Sequence, residues 1–516
     1  MQRQSWNAWK GPHKVKTLEL QTSPAHEGAM RNFLRLVGSL GVTSALLYAC
    51  SSSETPAVPA DGSASAPEAS TPVEAGVVKT DAGTDAAPTG GTSCANAISV
   101  NLGEETAGNF KRAGESLYYS VKVDAGAFLI LSADTGATSA NEDTVVDTAI
   151  NVFDTTGAKL LAAIDDAFPR ASTSASLYYR SPTATTLCVQ VTDLDTWSGL
   201  PPKLAPDASF KFFALALDPT KLDLLSSDTE PNDTTAAAQA GKLRPFTTPP
   251  GAFGYVIGTL KDANDVDMFK FTVPAGAVSM SVEMPPIGAP VASGKSSYGS
   301  TLPRFVASIK KLDGTTIAEL APPAGQTEKT AESLGAPVEP GDYILAISRP
   351  AGVAPGANDF YATTVQFTTG NPAEAEVTSG ANDTLATAET IALKPGTADP
   401  KRKSGFILAR LPTGDAADNF SFPVAMGDSI SVACGALRNG SGLQGFKAEL
   451  FVGGESRQSE TEVATADIAW STSTTASKPA VAVTAAGTAV LQLTATGRSA
   501  TNTGTYYLCG VHVTSP

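Results

Sequence analysis

Large apolar residues recur at alternate positions in three short stretches: Tyr119, Val121 and Val123 in YSVKVDAG, Phe269, Phe271 and Val273 in FKFTVPAG, and Phe420, Phe422 and Val424 in FSFPVAMG. A period of two turns one face of an extended chain into a core, so each stretch predicts a strand. The glycine ending each stretch, Gly126, Gly276 or Gly427, supplies a turn into a second strand such as SMSVEM or SISVAC. Further along each copy come a strand, a tight turn and another strand: AINVFDTTGAKLLA, FVASIKKLDGTTIAEL and FKAELFVGGESR. TLCVQV, DYILAIS and TYYLCGVHV follow as closing strands. Short strands spaced by turns predict an all-β chain of tandem antiparallel β-sandwiches rather than a parallel α/β sheet.

This periodicity places the repeats at 93–218, 226–368 and 376–516. The tract 50–92 ahead of them is Ala, Ser, Thr, Pro and Gly, too poor in apolar surface to fold, and reads as a flexible spacer. Residues 1–49 read as a signal region, either starting at Met30 or with an unusually long segment ahead of it: Arg31 and Arg35 form a positive segment, and LVGSLGVTSALLYA is an apolar run of 14 residues before Cys50. A spanning helix needs about 20 apolar residues, so this run is too short to cross a bilayer. Leu47-Tyr48-Ala49-Cys50 resembles the lipobox of bacterial lipoproteins, with Tyr48 larger than the residue usual there. The resemblance implies cleavage after Ala49, diacylglycerol on the Cys50 thiol and a membrane anchored through that lipid, in a bacterial envelope at the outer membrane or cell surface.

Charge narrows the partners. From Cys50 onward the chain carries 30 basic and 49 acidic residues, which repels nucleic acid and can attract divalent cations. Apart from Cys50 the cysteines are Cys94, Cys188, Cys434 and Cys509, an even number suited to an oxidising compartment. None has the short C-x₂₋₄-C spacing of zinc sites.

EPNDTTAAAQA at 230–240, DANDVDMFKFTVPAG at 262–276 and PGDYILAIS at 340–348 resemble the bacterial pre-peptidase C-terminal domain, a relative of the collagen-binding domains of secreted collagenases. The middle copy carries the motifs most fully. The last keeps NDTLATAETIAL and DAADNFSFPVAMG, and the first keeps only the strand and turn pattern. The resemblance implies compact jelly-roll-like sandwiches, appended in relatives to secreted hydrolases and not themselves catalytic. In that register Cys188 and Cys509 stand at corresponding places in the closing strands of the first and last copies, which implies the pairs Cys94–Cys188 and Cys434–Cys509. Each would close a long loop, contributing roughly 4 kcal/mol in the chain-entropy view.

In the related collagen-binding domains an acidic segment and an acidic loop hold calcium together. Carried across, this points to Asp228, Glu230 and Asn232 with Asp262 and Asp265, Asp228 standing where the pattern has a longer Glu. Ca²⁺ takes six to eight hard oxygen ligands, which such a set can supply. The competing reading is that Asn232 and Asp233 make turn hydrogen bonds and the other acids are solvated. The last copy keeps Asn382, Asp383, Asp415 and Asp418 but has Gly380 in place of Glu230, and the first copy lacks the opening acids.

Catalytic constellations are sparse. His512, the one histidine after Cys50, alternates with Val511 and Val513 and is expected at a surface or edge. It leaves no His-dependent triad, HExxH, GxSxG or phosphate loop to assemble. A pair of carboxylates for glycoside hydrolysis stays open, since acids are plentiful. Trp197, in the turn-rich DLDTWSGLPP, is a candidate to stack on a sugar, against the alternative that it covers the end of the core. The expected function is a non-enzymatic, lipid-anchored surface protein whose tandem modules bind an extracellular ligand. The alternatives are a polysaccharide- or matrix-binding adhesin and a carboxylate-pair hydrolase.

Overall fold

The structure, a computed structural model, describes residues 91–516 apart from 138–143, 166–172, 248–249, 291–293, 322–331, 370–380, 397–399, 464–466 and 473–475. The signal region, Cys50 and the spacer lie outside the described residues.

Strands dominate, and they form three pairs of sheets. In the first module a five-stranded sheet runs Ile98–Val100, Leu117–Val123, Thr185–Asp193, Thr148–Phe153, Leu160–Ile164. It packs on a four-stranded sheet ordered Glu105–Asn109, Ser209–Ala216, Phe128–Asp134, Ala175–Arg180. The second and third modules repeat the five-stranded sheet around Val266–Thr272 and Asp418–Val424, and face it with sheets of six and seven strands. Every pairing in the three five-stranded sheets is antiparallel except the first, a short parallel one whose register recurs: Ile98 opposite Tyr119, Gln239 opposite Phe269 and Glu389 opposite Phe420. Antiparallel sandwiches are what the alternating pattern predicted, and a jelly-roll-like form is what the resemblance implied.

The alternating residues line the cores. Tyr119, Val121, Phe269, Phe271, Phe420 and Phe422 are fully buried, and rings from opposite sheets meet between the layers, as Tyr119 does with Phe212 at 4.2 Å between centroids. The first two modules share one continuous core, and a second cluster between them holds Leu217, Leu222, Leu224 and Leu225 with Phe253 and Tyr255. The connecting stretch near Leu217–Ser227 is therefore packed as a wedge, because its leucines have apolar surface to cover on both sides.

Both disulfides are present, Cys94–Cys188 with Cα atoms 5.5 Å apart and Cys434–Cys509 with Cα atoms 4.1 Å apart. The register inferred for them needs correction. Cys188 lies in Thr185–Asp193, whose counterpart in the last module is Gly487–Ala495, whereas Cys509 lies in Tyr506–Thr514 of the opposite sheet. Cys94 reaches the five-stranded sheet from a short 3₁₀ turn, while Cys434 and Cys509 face one another directly on neighbouring strands. TYYLCGVHV looked like the counterpart of TLCVQV because both are apolar strands with a cysteine, and strand patterning does not say which sheet a strand joins.

Candidate metal centre

The acidic segment of the middle module is delivered by the strand Leu225–Ser227, which pairs in parallel with Pro250–Thr259, after which Asp228 N–H donates to Ile257 O at 2.9 Å. The acidic loop, Lys261 to Asp265, leads into Val266–Thr272. Arg349 fixes that loop from behind. Its buried guanidinium donates to Asp359 Oδ2 at 2.5 Å, to Leu260 O at 2.9 Å and to Asp262 O at 3.4 Å. Asp233 Oδ1 clasps the two segments together by accepting from Val266 N–H at 3.1 Å.

Side-chain oxygens converge between the segments. Single oxygens of Asp228, Glu230 and Asp267 lie within 4.8 Å of one another, as do those of Glu230, Asp233 and Asp265. Asn232 and Asp267 are fully buried and Asp265 nearly so, yet Asn232 Oδ1, Asp265 Oδ1 and Asp267 Oδ1 have no hydrogen-bond partner. Buried acceptors left unpaired cost about 1–3 kcal/mol each, so this arrangement is expensive unless a bound ion, or in part a proton shared between Asp228 and Asp267, completes it. The remaining oxygens are engaged: Asn232 Nδ2 donates to Asp228 Oδ1 at 3.1 Å, Asn232 N–H to Glu230 Oε2 at 3.0 Å, and Lys261 N–H to Asp265 Oδ2.

The electrostatics follow from burial. Desolvation pushes Asp267 up to about 8, with the Asp228 and Asp265 carboxylates adding to it against the Tyr361 hydrogen bond. Burial raises Asp228 and Asp265 as well. Glu230 moves the other way, because the Lys261 ammonium donates to its Oε1 at 3.0 Å. Lys261 is thus the one cation drawn in the described structure onto the shared carboxylate. Several hard oxygen donors, three of them buried and unpaired, are a donor set that fits Ca²⁺.

Of the residues singled out in the sequence, Asp228, Glu230, Asn232 and Asp265 come together. Asp262 does not join either group; its Oδ1 accepts from Asn264 N–H at 2.8 Å and serves the turn of the loop. Asp233 and Asp267 converge instead. Asp267 had a signal in the sequence, since it stands two residues before Phe269 and so on the same inward face of the strand.

The three modules diverge at this inward position. Asp267 accepts from the Tyr361 hydroxyl at 2.6 Å, and Asp418 accepts from the Tyr507 hydroxyl at 2.5 Å. In the first module Leu117 occupies the place of Asp267, and Phe210, opposite Gly108 as Tyr361 is opposite Gly258, occupies that of Tyr361. Carboxyl and hydroxyl are kept together or lost together. The third module also keeps the clasp, Ala417 N–H donating to Asp383 Oδ1 at 3.4 Å, but has Ala416 where Asp265 stands. Gly380 lies outside the described residues.

The expectation for His512 is overturned, and of the two readings of Trp197 the structure favours burial against its own module. Trp197 is buried over Ala149 and Ala163, with its Nε1–H donating to Asn151 Oδ1 at 3.0 Å, and offers no face to a sugar. The reason is local: Asp193 caps the single turn Leu194–Trp197, accepting from Thr196 N–H at 3.0 Å, and so folds the indole back onto the sheet. His512 is not at an edge. It lies buried in a central strand, its Nδ1 sharing a 2.7 Å hydrogen bond with Ser404 Oγ, and burial with Arg402 nearby pushes it down to about 4. Trp470 is likewise buried, donating to Glu460 Oε2 at 2.6 Å.

No known protein-family profile matches the chain, and no curated protein does. Among solved structures it is similar to the CUB1-EGF-CUB2 region of human MASP-1/3, at 9% identity over 51% of this chain and 98% of that one, with a TM-score of 0.14. The tandem CBM51 modules of Sp3GH98, a family 98 glycoside hydrolase from Streptococcus pneumoniae, match at 11% identity over 52% and 83%, TM-score 0.15. An archaeal viral protein with a triple jelly-roll fold matches at 9% identity over 77% and 80%, TM-score 0.14. Similarity this low bears on neither activity nor partner. Among the described residues no helix is long and apolar enough to cross a membrane.

Proposed function

We propose that the chain is a lipid-anchored bacterial envelope protein whose three sandwich modules carry no chemistry of their own and present surfaces to an extracellular ligand, the middle module being clasped by Ca²⁺. The anchor rests on the run from Met30 to Cys50. What supports the cation is one observation: acids from two separate segments converge while Asn232 Oδ1, Asp265 Oδ1 and Asp267 Oδ1 are buried without partners. A divalent ion would complete those oxygens and displace Lys261 from Glu230, tying the entry segment to the strand that opens the module's core.

Calorimetric titration of Ca²⁺ into a soluble form starting at Ser51 should give a binding isotherm that Glu230→Ala removes. No heat in the wild type overturns the cation. The same protein, probed against arrayed polysaccharides and matrix proteins with Ca²⁺ and with chelator, should show retention of a ligand class; hydrolysis of any arrayed polysaccharide would overturn the non-enzymatic reading.

A further inference from the structure

Gly299-Ser300-Thr301-Leu302-Pro303-Arg304-Phe305 in the second module and Gly440-Ser441-Gly442-Leu443-Gln444-Gly445-Phe446 in the third share the pattern G-S-x-L-x₂-F. The corresponding stretch of the first module, ending at Thr148, reads ANEDTVVDT and has neither the glycine nor the serine. We infer that G-S-x-L-x₂-F is a docking element by which each module that bears it locks onto the module before it, making the three modules one stiff unit. The inference is independent of the cation.

Half of the motif anchors inward. Ser300 Oγ donates to Phe360 O at 2.8 Å and accepts from Leu302 N–H at 3.1 Å; Ser441 Oγ donates to Tyr506 O at 2.5 Å and accepts from Leu443 N–H at 3.1 Å. Leu302, Phe305, Leu443 and Phe446 are buried in their own modules. These contacts hold the glycine ahead of them in a set place.

The other half faces the preceding module. Gly299 and Gly440 have φ of +84° and +79°, the left-handed region that favours glycine. A Cβ on Gly299 would lie 2.2 Å from Leu161 O of the first module, and one on Gly440 would lie 2.9 Å from Glu319 O and 2.4 Å from Leu334 Cδ1 of the second. Backbone hydrogen bonds cross each junction: Ala163 N–H to Ser297 O at 2.8 Å with Ser297 N–H to Ala163 O at 2.6 Å in the first, and Glu319 N–H to Gly440 O at 2.9 Å with Thr503 N–H to Thr316 O at 3.2 Å in the second.

The receiving residue is the same one twice. Tyr119 and Phe269 are equivalent; their partners are Val189 and Leu345, whose next partners are Val152 and Ile309. Asn151 and Ser308, one residue earlier, pair with Ala163 and Glu319 in the outer strand. One receiving position thus serves both junctions, met by Ser297, two residues ahead of Gly299, in the first and by Gly440 itself in the second. Composition agrees: the receiving strands read LLAAI and TIAEL, whereas the outer strand of the third module reads ESRQSET and is largely exposed. There the equivalent residue, Ser459, has its carbonyl taken by Lys478 Nζ of the same module.

Ala125, Ala275 and Met426 occupy equivalent exposed turns, and non-cysteine spin labels at Ala125 with Ala275, or at Ala275 with Met426, report each junction. Dipolar spectroscopy on the form starting at Ser51 should give one narrow distance peak for each pair. Gly440→Val should lose the narrow peak of the second pair and keep that of the first, with the Cys434–Cys509 bond intact as a check that the third module is folded. Glu319→Pro, which removes the N–H bonded to Gly440 O, should do the same if Gly440→Val fails to fold. Gly454→Val is the control: φ there is +83° but no atom lies within 4 Å of the added Cβ, so strain without contact should leave both peaks narrow. A broad wild-type distribution, a narrow one in both junction variants, or broadening in Gly454→Val overturns the inference.

Discussion

The Tyr361 hydroxyl donates a 2.6 Å hydrogen bond to Asp267 Oδ2 at the buried end of the acidic cluster, and a leucine and a phenylalanine, Leu117 and Phe210, replace the pair in the first module. Tyr361→Phe should therefore cost about 1–3 kcal/mol of stability in denaturant unfolding without Ca²⁺, since it strands a buried carboxyl group. Asp267→Leu combined with Tyr361→Phe should recover part of that loss. Costs that simply add would mean the pair acts as two separate residues.

Ca²⁺ should raise the melting temperature of the soluble chain, by mass action worth about 2.7 kcal/mol at a hundred times its Kd. Asp265→Asn should shrink the rise, because Asp265 Oδ1 is buried and unpaired, whereas Asp262→Asn should leave it, because that carboxylate serves its own turn. Differential scanning calorimetry with Ca²⁺ and with chelator makes the comparison. Equal loss in both variants would return Asp262 to the ligand set.

Glu462 gives a pH signature in the third module, away from the acidic cluster. Its Oε1 accepts from Ala436 N–H at 2.7 Å and Leu437 N–H at 3.1 Å while Oε2 is buried without a partner, and burial pushes the group up to about 7. A raised folded value means the native state holds a proton that the unfolded chain releases near about 4.3. Its contribution is thus complete below that value and is lost as pH rises through about 7. Denaturation midpoints should fall from pH 5 to pH 8, and Glu462→Gln, which keeps the acceptor for both N–H groups, should flatten that part of the slope.

Metabolic labelling with a fatty acid should mark the full chain and spare Cys50→Ser. Label that survives the substitution would place the lipid elsewhere or remove the anchor from the proposal.

Strands were readable where one face is buried. Phe269, Phe271 and Val273 alternate with polar neighbours because only one side of their strand meets the core, and the same holds at Tyr119; at Phe420 the alternation persists although its neighbours Asn419 and Ser421 are buried as well. Sheet membership was not readable: Cys188 and Cys509 lie in opposite layers, and a period of two is identical in both. Four of the converging residues in the acidic site were visible because they crowd within short segments. Asp267 stood in the same crowded segment with a period-two signal, but the family pattern carried across did not include it. His512 was misplaced, and Trp197 left between two readings, for a related reason, since a polar tip satisfied by Asn151 or Ser404 lets either ring be buried at little cost, and those partners are distant in sequence.

The polar outer strand Glu455–Thr461 has a consequence for crowding. An exposed strand edge is a template on which another chain can pair, and chains packed densely side by side meet at their edges often. A row of glutamate, arginine and glutamine side chains, with Lys478 Nζ already on the Ser459 carbonyl, makes this edge a poor template. Neighbouring copies can then be concentrated on one surface without seeding sheet growth from chain to chain.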